Sequence, residues 1–87
     1  MSRILHILKE NPAPETLSIV AKQAKASGQD LSVLLIQEAV RLQPDLPGKI
    51  YVLEDDARLR GVVSKFEAVN YSGMLDLILS SDSVVTW

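Results

Sequence analysis

The segment Leu31-Ser32-Val33-Leu34-Leu35-Ile36 decides the fold that this sequence predicts. Five of its six residues are aliphatic, and Ser32 is its one polar residue. Gly28-Gln29-Asp30 precedes the segment and Gln37-Glu38 follows it, so that residues typical of turns border it on both sides. A short apolar run with such borders is typical of a strand that is buried on both faces, as in a parallel sheet covered by helices. The segment therefore predicts a parallel α/β sheet with this strand near its middle.

The rest of the chain supplies the other elements of such a sheet. Apolar or β-branched runs predict strands in four further segments, residues 4–8, 50–53, 68–70 and 83–87. Helical patterns cover residues 15–27 and 72–80, and one or two helical turns are expected after residues 38 and 54. Pro14 suits the first position of the first helix, Gly28 its end, and Ser72 the N-cap of the last helix.

Length and charge limit the class of protein. A chain of 87 residues is expected to form one domain, residues 1–87. The net charge of −2 gives no general attraction for nucleic acid or for an anionic membrane, and neither is expected as a partner. No apolar run approaches the roughly 20 residues of a membrane span, and no signal-peptide pattern opens the sequence. A cytoplasmic location is the default expectation.

The residues that carry chemistry are few. The sequence has no cysteine, which excludes disulfides, thiolate metal sites and catalysis by a thiol. Its one histidine, His6, lies inside an apolar strand, where a hydrogen-bonded structural role is expected. The acidic run Glu54-Asp55-Asp56 fits a helix start better than a metal site, because no second group of carboxylates accompanies it. We therefore predict no catalytic residue, no metal site and no cofactor.

Five segments, in order along nearly the whole chain, resemble the DsrH/TusB-type sulfur-relay proteins. They are residues 4–9, 33–40, 50–61, 69–77 and 84–87. The resemblance implies a three-layer α/β/α sandwich of the DsrE-like kind, with a five-stranded, mainly parallel sheet and the second strand at its centre. It also implies work in heteromeric complexes that pass sulfur as a cysteine persulfide, toward thiolation of the tRNA wobble uridine or within sulfur oxidation.

The missing cysteine changes what the resemblance implies for this chain. A persulfide carrier needs a thiolate, and no other side chain can replace sulfur in that exchange. The chain is therefore interpreted as a non-catalytic subunit that shapes or docks the site of a partner. The expected partners are DsrE/TusD-like and DsrF/TusC-like subunits, or a second copy of the chain.

A second hypothesis uses the edge of the sheet where the carboxyl ends of its strands meet. Sheets of this class commonly bind small ligands there, so a small-molecule-binding or regulatory module is the alternative function. Under either hypothesis the contacts expected at this edge, with a partner or with a ligand, are Gln37, Glu38, Asn70 and Tyr71.

The last predicted helix suggests that the chain assembles with other chains. Its apolar side chains spread over an arc of roughly 200°, wider than the stripe of about 100° that packing on one sheet requires. The residues expected at an oligomer interface are Met74, Leu75, Ile78 and Trp87. The alternative is that residues 62–67 fold over this helix and cover it within one chain. Trp87 is expected to be at least partly buried, against the sheet or a partner.

Overall fold

Five strands form one sheet, and every strand pairing in it is parallel. The structure, a computed structural model, describes residues 2–10, 14–25, 29–44 and 48–87. The strands are β1 (Ser2–Leu8), β2 (Gln29–Leu35), β3 (Lys49–Leu53), β4 (Glu67–Val69) and β5 (Ser83–Thr86). The helices are α1 (Pro14–Lys25), α2 (Glu54–Leu59) and α3 (Tyr71–Ser80), with a 3-10 helix at Gln37–Arg41. The strand order across the sheet is β4-β3-β2-β1-β5.

Strand β2 lies at the centre of the sheet, as its sequence predicts. It pairs along its whole length with β1 and through four residues with β3. Val33, Leu34 and Leu35 are fully buried. Because successive side chains of a strand point to opposite faces, this run buries apolar surface on both sides of the sheet.

Helices cover both faces, so the predicted three-layer α/β fold is confirmed, and the sheet is parallel throughout. On one face Val33 and Leu35 pack with Val20 of α1 and Ala57 of α2. We call this side the double-helix face. On the opposite face, Leu34 packs with two buried β1 residues and, among the described helices, with α3 alone. We call this side the α3 face.

The segment of residues 62–66 packs on the double-helix face through two of its side chains. Val62 and Phe66 contact the buried cluster that includes Val52 and Ala57. They therefore lie across the sheet from α3, and the hypothesis that this segment covers α3 within one chain is wrong.

The start of α3 differs from the prediction. Asn70, and not Ser72, is the N-cap, and its Oδ1 accepts a hydrogen bond of 2.8 Å from the Gly73 N–H. The sequence pattern predicts that Asn70 ends the fourth strand, but Asn caps helices about as well as Ser, so propensity gives Ser72 no advantage. Pro14 does begin α1, whereas the predicted end of that helix at Ser27 and Gly28 lies outside the described residues.

The helices are short. They have 12, 6 and 10 residues, against about 20 for a membrane-spanning helix. Within the described residues, no helix is long and apolar enough to cross a membrane.

The buried run of β2 gives a direct test of this architecture. We expect Leu35→Ala to lower the free energy of unfolding by about 2–5 kcal/mol, because Leu35 is fully buried and truncation leaves a cavity. Leu59→Ala is the matched control, since Leu59 is 79% exposed and its loss should change stability by no more than about 0.5 kcal/mol. Urea unfolding followed by circular dichroism measures both. Equal effects of the two substitutions would contradict the central place of β2.

Candidate functional site

The four residues predicted at the carboxyl edge of the sheet form two separate pairs. Gln37 and Glu38 follow β2, whereas Asn70 and Tyr71 follow β4. Strand β3 lies between β2 and β4, so the two pairs are separated by two strand spacings, about 10 Å in all. No hydrogen bond or ion pair between the two pairs is seen in the described part of the chain.

The turn after β2 is held by a side chain from α2. The Gln37 N–H donates a 2.8 Å hydrogen bond to Oδ2 of Asp56. Gln37 has φ 53°, in the left-handed region that residues other than glycine rarely adopt. A conformation of this kind costs about 1 kcal/mol or more, and the Asp56 hydrogen bond helps to offset that cost.

Glu38 lies between two arginines. Its Oε1 accepts a 2.9 Å hydrogen bond from Nε of Arg60, and its Oε2 accepts one of 3.1 Å from Nε of Arg41. The Arg60 guanidinium also donates a 3.3 Å hydrogen bond to the Asp56 carbonyl oxygen. Through its bonds to Glu38 and Asp56, Arg60 links the 3-10 helix to α2. We call Glu38, Arg41, Asp56 and Arg60 the Glu38 cluster.

The two arginines of the Glu38 cluster stabilise the ionised form of Glu38. The hydrogen bond from Arg60, followed by that from Arg41, lowers the pKa of the Glu38 carboxyl below its ordinary value. A carboxylate stabilised in its ionised form is a poor proton donor near neutral pH. The arrangement therefore serves to fix the 3-10 helix against α2 and offers little for acid–base catalysis.

The carboxylates at the start of α2 also form ion pairs with arginines of the same chain. Arg58 contacts Glu54 at 2.9 Å and Asp55 at 3.9 Å, while Asp56 belongs to the Glu38 cluster. Among the described residues, no three His, Asp or Glu side chains come together in a way that could hold a metal ion.

The two contacts predicted after β4 have different roles in the structure. Asn70 is engaged as the N-cap of α3. Tyr71 is the first residue of that helix, and its side chain is 53% exposed. Both side chains are exposed, but the amide oxygen of Asn70 is already engaged, so Tyr71 is the one that can contact a partner or ligand without breaking the cap.

The outer surface of α3 carries an unpartnered apolar ridge. Tyr71, Leu75 and Leu79 are 53%, 54% and 80% exposed. A spacing of four residues places them in line along one side of the helix. We call these three residues the α3 ridge. Beside it runs a parallel line of exposed polar residues, Ser72, Asp76 and Ser80.

The four residues predicted for an oligomer interface are therefore divided between three places. Leu75 lies on the α3 ridge. Met74 and Ile78 are partly buried and pack against the cluster beneath α3. Trp87 lies on the double-helix face, where its ring stacks on His6. Leu79 belongs to the apolar arc predicted for this helix but not to the four residues expected at the interface, and its spacing of four from Leu75 was the signal that places it on the ridge.

His6 and Trp87 form a pair that joins β1 to the residue after β5. His6 is fully buried, and its Nδ1 accepts a 2.9 Å hydrogen bond from Nε1–H of Trp87. The rings are 6.0 Å apart between centroids and 19° from parallel. The structure thus gives His6 the hydrogen-bonded role that its position predicts, and Trp87, 37% exposed, is partly buried as expected.

A surface hollow lies on the double-helix face, beside β4. It has a volume of about 390 Å³, and Val52, Val62, Phe66 and Ala68 supply most of its apolar lining. None of the residues predicted for a site lines it.

Comparison with known proteins bears on the fold. No protein-family model matches the chain, and no curated protein matches it in sequence. Among solved structures, the crystal structure of the YchN protein from E. coli matches with a TM-score of 0.77, over 100% of both chains. The chain has the YchN fold. The two sequences are 19% identical, so the similarity to YchN establishes architecture and not activity.

The Glu38 cluster predicts a specific pH dependence. The lowered pKa means that the contribution of Glu38 to stability is present above the ordinary titration range of a glutamate, about 4.3, and is lost as the pH falls through its folded-state pKa. We therefore expect Glu38→Gln to lower the Tm at pH 7, and the difference from wild type to shrink as the pH falls below that range. Thermal unfolding followed by circular dichroism at several pH values measures this difference.

Glu67→Gln is the matched control for that experiment, because Glu67 is exposed and makes no ion pair within the described residues. Its effect on Tm should be small across the same pH range. A Glu38→Gln effect that stays constant as the pH is lowered would show that the charge of Glu38 is not what stabilises the edge.

Proposed function

We propose that this chain is a cysteine-free subunit of a sulfur-relay complex, in which it supports persulfide transfer by cysteine-bearing partner chains. The partners are chains of the DsrE/TusD and DsrF/TusC type. In such a complex the chain itself makes and breaks no bond to sulfur, because it has no thiolate. Its task is to hold the cysteine loop of a partner and to limit the access of solvent to it.

The observation that carries this proposal is the full-length similarity to the YchN fold, together with the five segments that resemble DsrH/TusB proteins. The similarity extends over 100% of both chains. Each of the five strands overlaps one of the resembling segments, and the second strand lies at the centre of the sheet as the family resemblance implies. Two independent indications, one from residues and one from backbone geometry, therefore favour the same group of proteins.

The distribution of exposed apolar surface supports the role of a subunit. The α3 ridge is apolar along its length, and Tyr71 is both its first residue and the residue that follows the N-cap at the carboxyl edge. The ridge and the edge therefore form one continuous surface. A partner that binds the α3 ridge would therefore also contact Tyr71 at the carboxyl edge. We place the cysteine loop of the partner at that contact.

The alternative function, a small-molecule-binding module, has less support at the carboxyl edge. Glu38 and Asp56 already accept hydrogen bonds from groups of the same chain, and Asn70 caps α3. A ligand would have to replace those hydrogen bonds and would gain little by doing so. A small molecule retained through purification, with its contacts at Gln37 or Tyr71, would reverse this preference.

Affinity purification from the source cell tests the proposed partners. We expect the tagged chain to retain a DsrE/TusD-like or DsrF/TusC-like chain, identified by mass spectrometry, that carries a cysteine. The double substitution of Gln37 and Glu38 by Ala should reduce that retention. It should lower the free energy of unfolding by no more than about 1 kcal/mol, because both side chains are exposed and the ion pairs that Glu38 makes with Arg41 and Arg60 lie at the surface. Recovery of the tagged chain with no cysteine-bearing relative would contradict the proposal.

The α3 ridge predicts that assembly, with a partner or with a second copy, depends on Leu75. We expect Leu75→Glu to weaken association by tenfold or more in Kd, because a carboxylate buried in an apolar interface loses its hydration. Ser72→Glu adds the same charge to the polar line of the same helix and is the matched control. Sedimentation velocity at micromolar concentration, with and without the partner chain, measures both variants. If the two variants associate equally, the ridge is not an interface.

A further inference from the structure

Strand β4 has one unpaired side. It is the last strand of the sheet at its end, and β3 is its strand partner. Its first two residues, Glu67 and Ala68, are exposed. In the part of the chain that the structure describes, no hydrogen bond reaches the outer side of β4. The backbone groups that point away from β3 can therefore pair with a further strand.

The surface hollow lies directly beside this open edge. Ala68 lines the hollow and is in register with Val52 of β3, which is buried and lines it too. Both side chains therefore point to the double-helix face. A further strand would lie about 4.8 Å outside β4, and its residue opposite Ala68 would point to the same face. The side chain of that residue would enter the hollow.

The hollow suits an apolar side chain better than a free polar ligand. Its volume of about 390 Å³ is near the small end of ligand pockets, which span about 300 to 1,000 Å³. Its polar lining groups are already engaged. Arg58 pairs with Glu54 at 2.9 Å, and Oγ of Ser64 accepts a 3.2 Å hydrogen bond from the Phe66 N–H. The polar contacts of an occupant would therefore come from the edge of β4.

Glu67 adds a requirement of charge. Successive side chains of a strand alternate between faces, so Glu67 points to the α3 face. It is exposed and makes no ion pair within the described residues. On an added strand, the residue opposite Glu67 would have its Cβ atom about 4.5–5.5 Å away, a distance at which opposite charges attract and like charges repel. A lysine or arginine is favoured at that position.

We propose that β4 and the hollow bind an extended segment of another protein, which adds a strand to the sheet outside β4. The segment has a large aliphatic residue opposite Ala68 and, next to it in sequence, a basic residue opposite Glu67. Backbone hydrogen bonds supply affinity, while the hollow and the carboxylate select the sequence. The hollow lies across the sheet from the α3 ridge, so this site is separate from the interface proposed above. It does not depend on the sulfur-relay function.

A second copy of β4 does not meet these requirements. In a parallel pairing with the same register, two Glu67 carboxylates would face each other. In an antiparallel pairing centred on Ala68, each carboxylate would face the apolar Val69. Either arrangement would offer the hollow only the methyl group of Ala68. The occupant is therefore a segment of different sequence.

A pentapeptide with blocked ends, Val-Lys-Leu-Lys-Val, tests the proposal. Because its sequence is a palindrome, the leucine can lie opposite Ala68 and a lysine opposite Glu67 in either strand direction. We expect titration to several millimolar peptide to give saturable shifts of the amide signals of residues 67–69 in NMR spectra of the labelled chain. Nuclear Overhauser effects should connect the leucine methyl groups to Val52.

Two peptides are matched controls on the same wild-type chain. Val-Lys-Gln-Lys-Val has no apolar group for the hollow and should bind about tenfold more weakly or worse. Val-Glu-Leu-Glu-Val places a like charge opposite Glu67 and should bind about threefold more weakly or worse. In the chain variant Glu67→Lys the preference between the lysine and glutamate peptides should reverse. Glu67 is exposed, so this substitution should leave the fold intact.

Several results would overturn the proposal. They are the absence of shifts at β4, equal binding of the three peptides, and an unchanged preference in a folded Glu67→Lys variant. Shifts confined to the α3 ridge would place the peptide on the other surface. Shifts at β4 that depend on the concentration of the chain alone would assign the edge to a second copy. The three peptides are compared on the wild-type chain, so they decide the question even if the variant does not fold.

Discussion

Burial of β2 on both of its faces is the constraint on which the rest of the structure depends. Val33 and Leu35 fill one side of the sheet while Leu34 fills the other, and all three are fully buried. A strand of this kind cannot be an edge, and it needs helical cover in both directions. Strands β1 and β3 pair with the two edges of β2. Helices α1 and α2 cover one of its faces, and α3 covers the other. In a domain of this size, loss of either layer would expose a large part of the core.

The two layers are unequal, and the inequality locates the surfaces available for function. Among the residues that the structure describes, nine are buried in one cluster on the double-helix face, with contributions from α1, α2 and the 3-10 helix. In the same part of the chain, three residues are buried on the α3 face, and the rest of that cluster, including Met74, Leu77 and Ile78, is only partly covered. Helix α3 itself has no buried residue. The more open layer is thus the one that carries the apolar ridge, which is the reason for placing a partner there.

The sequence predicts the parts of this structure that depend on local patterns. The aliphatic run of β2 identifies the central strand, and the similar run at residues 4–8 identifies β1, because few other structures accommodate such runs in a small chain. The prediction of Ser72 as the N-cap of α3 was wrong, because the N-cap is decided by one hydrogen bond, that from Gly73 N–H to Asn70, which a propensity cannot resolve. The contacts that shape the carboxyl edge are of a different kind. Asp56 reaches Gln37 across 19 residues, and Trp87 reaches His6 across 81, so both depend on the three-dimensional arrangement of the strands. For the same reason the sequence indicates the chemistry of His6 but not its partner.

The parallel pairing of β5 with β1 has a consequence for the order in which the chain folds. Strands β1, β2 and β3 can pair after closing loops of moderate length, whereas the contact of Arg3 with Asp82 joins residues 79 apart. Closing so long a loop is entropically costly until most of the chain is already compact. Strand β5 is therefore expected to join the sheet last, after α3 has crossed the growing core. Until that moment the edge of β1 remains open, so during synthesis each copy of the chain passes through a state that can accept a strand from a neighbour.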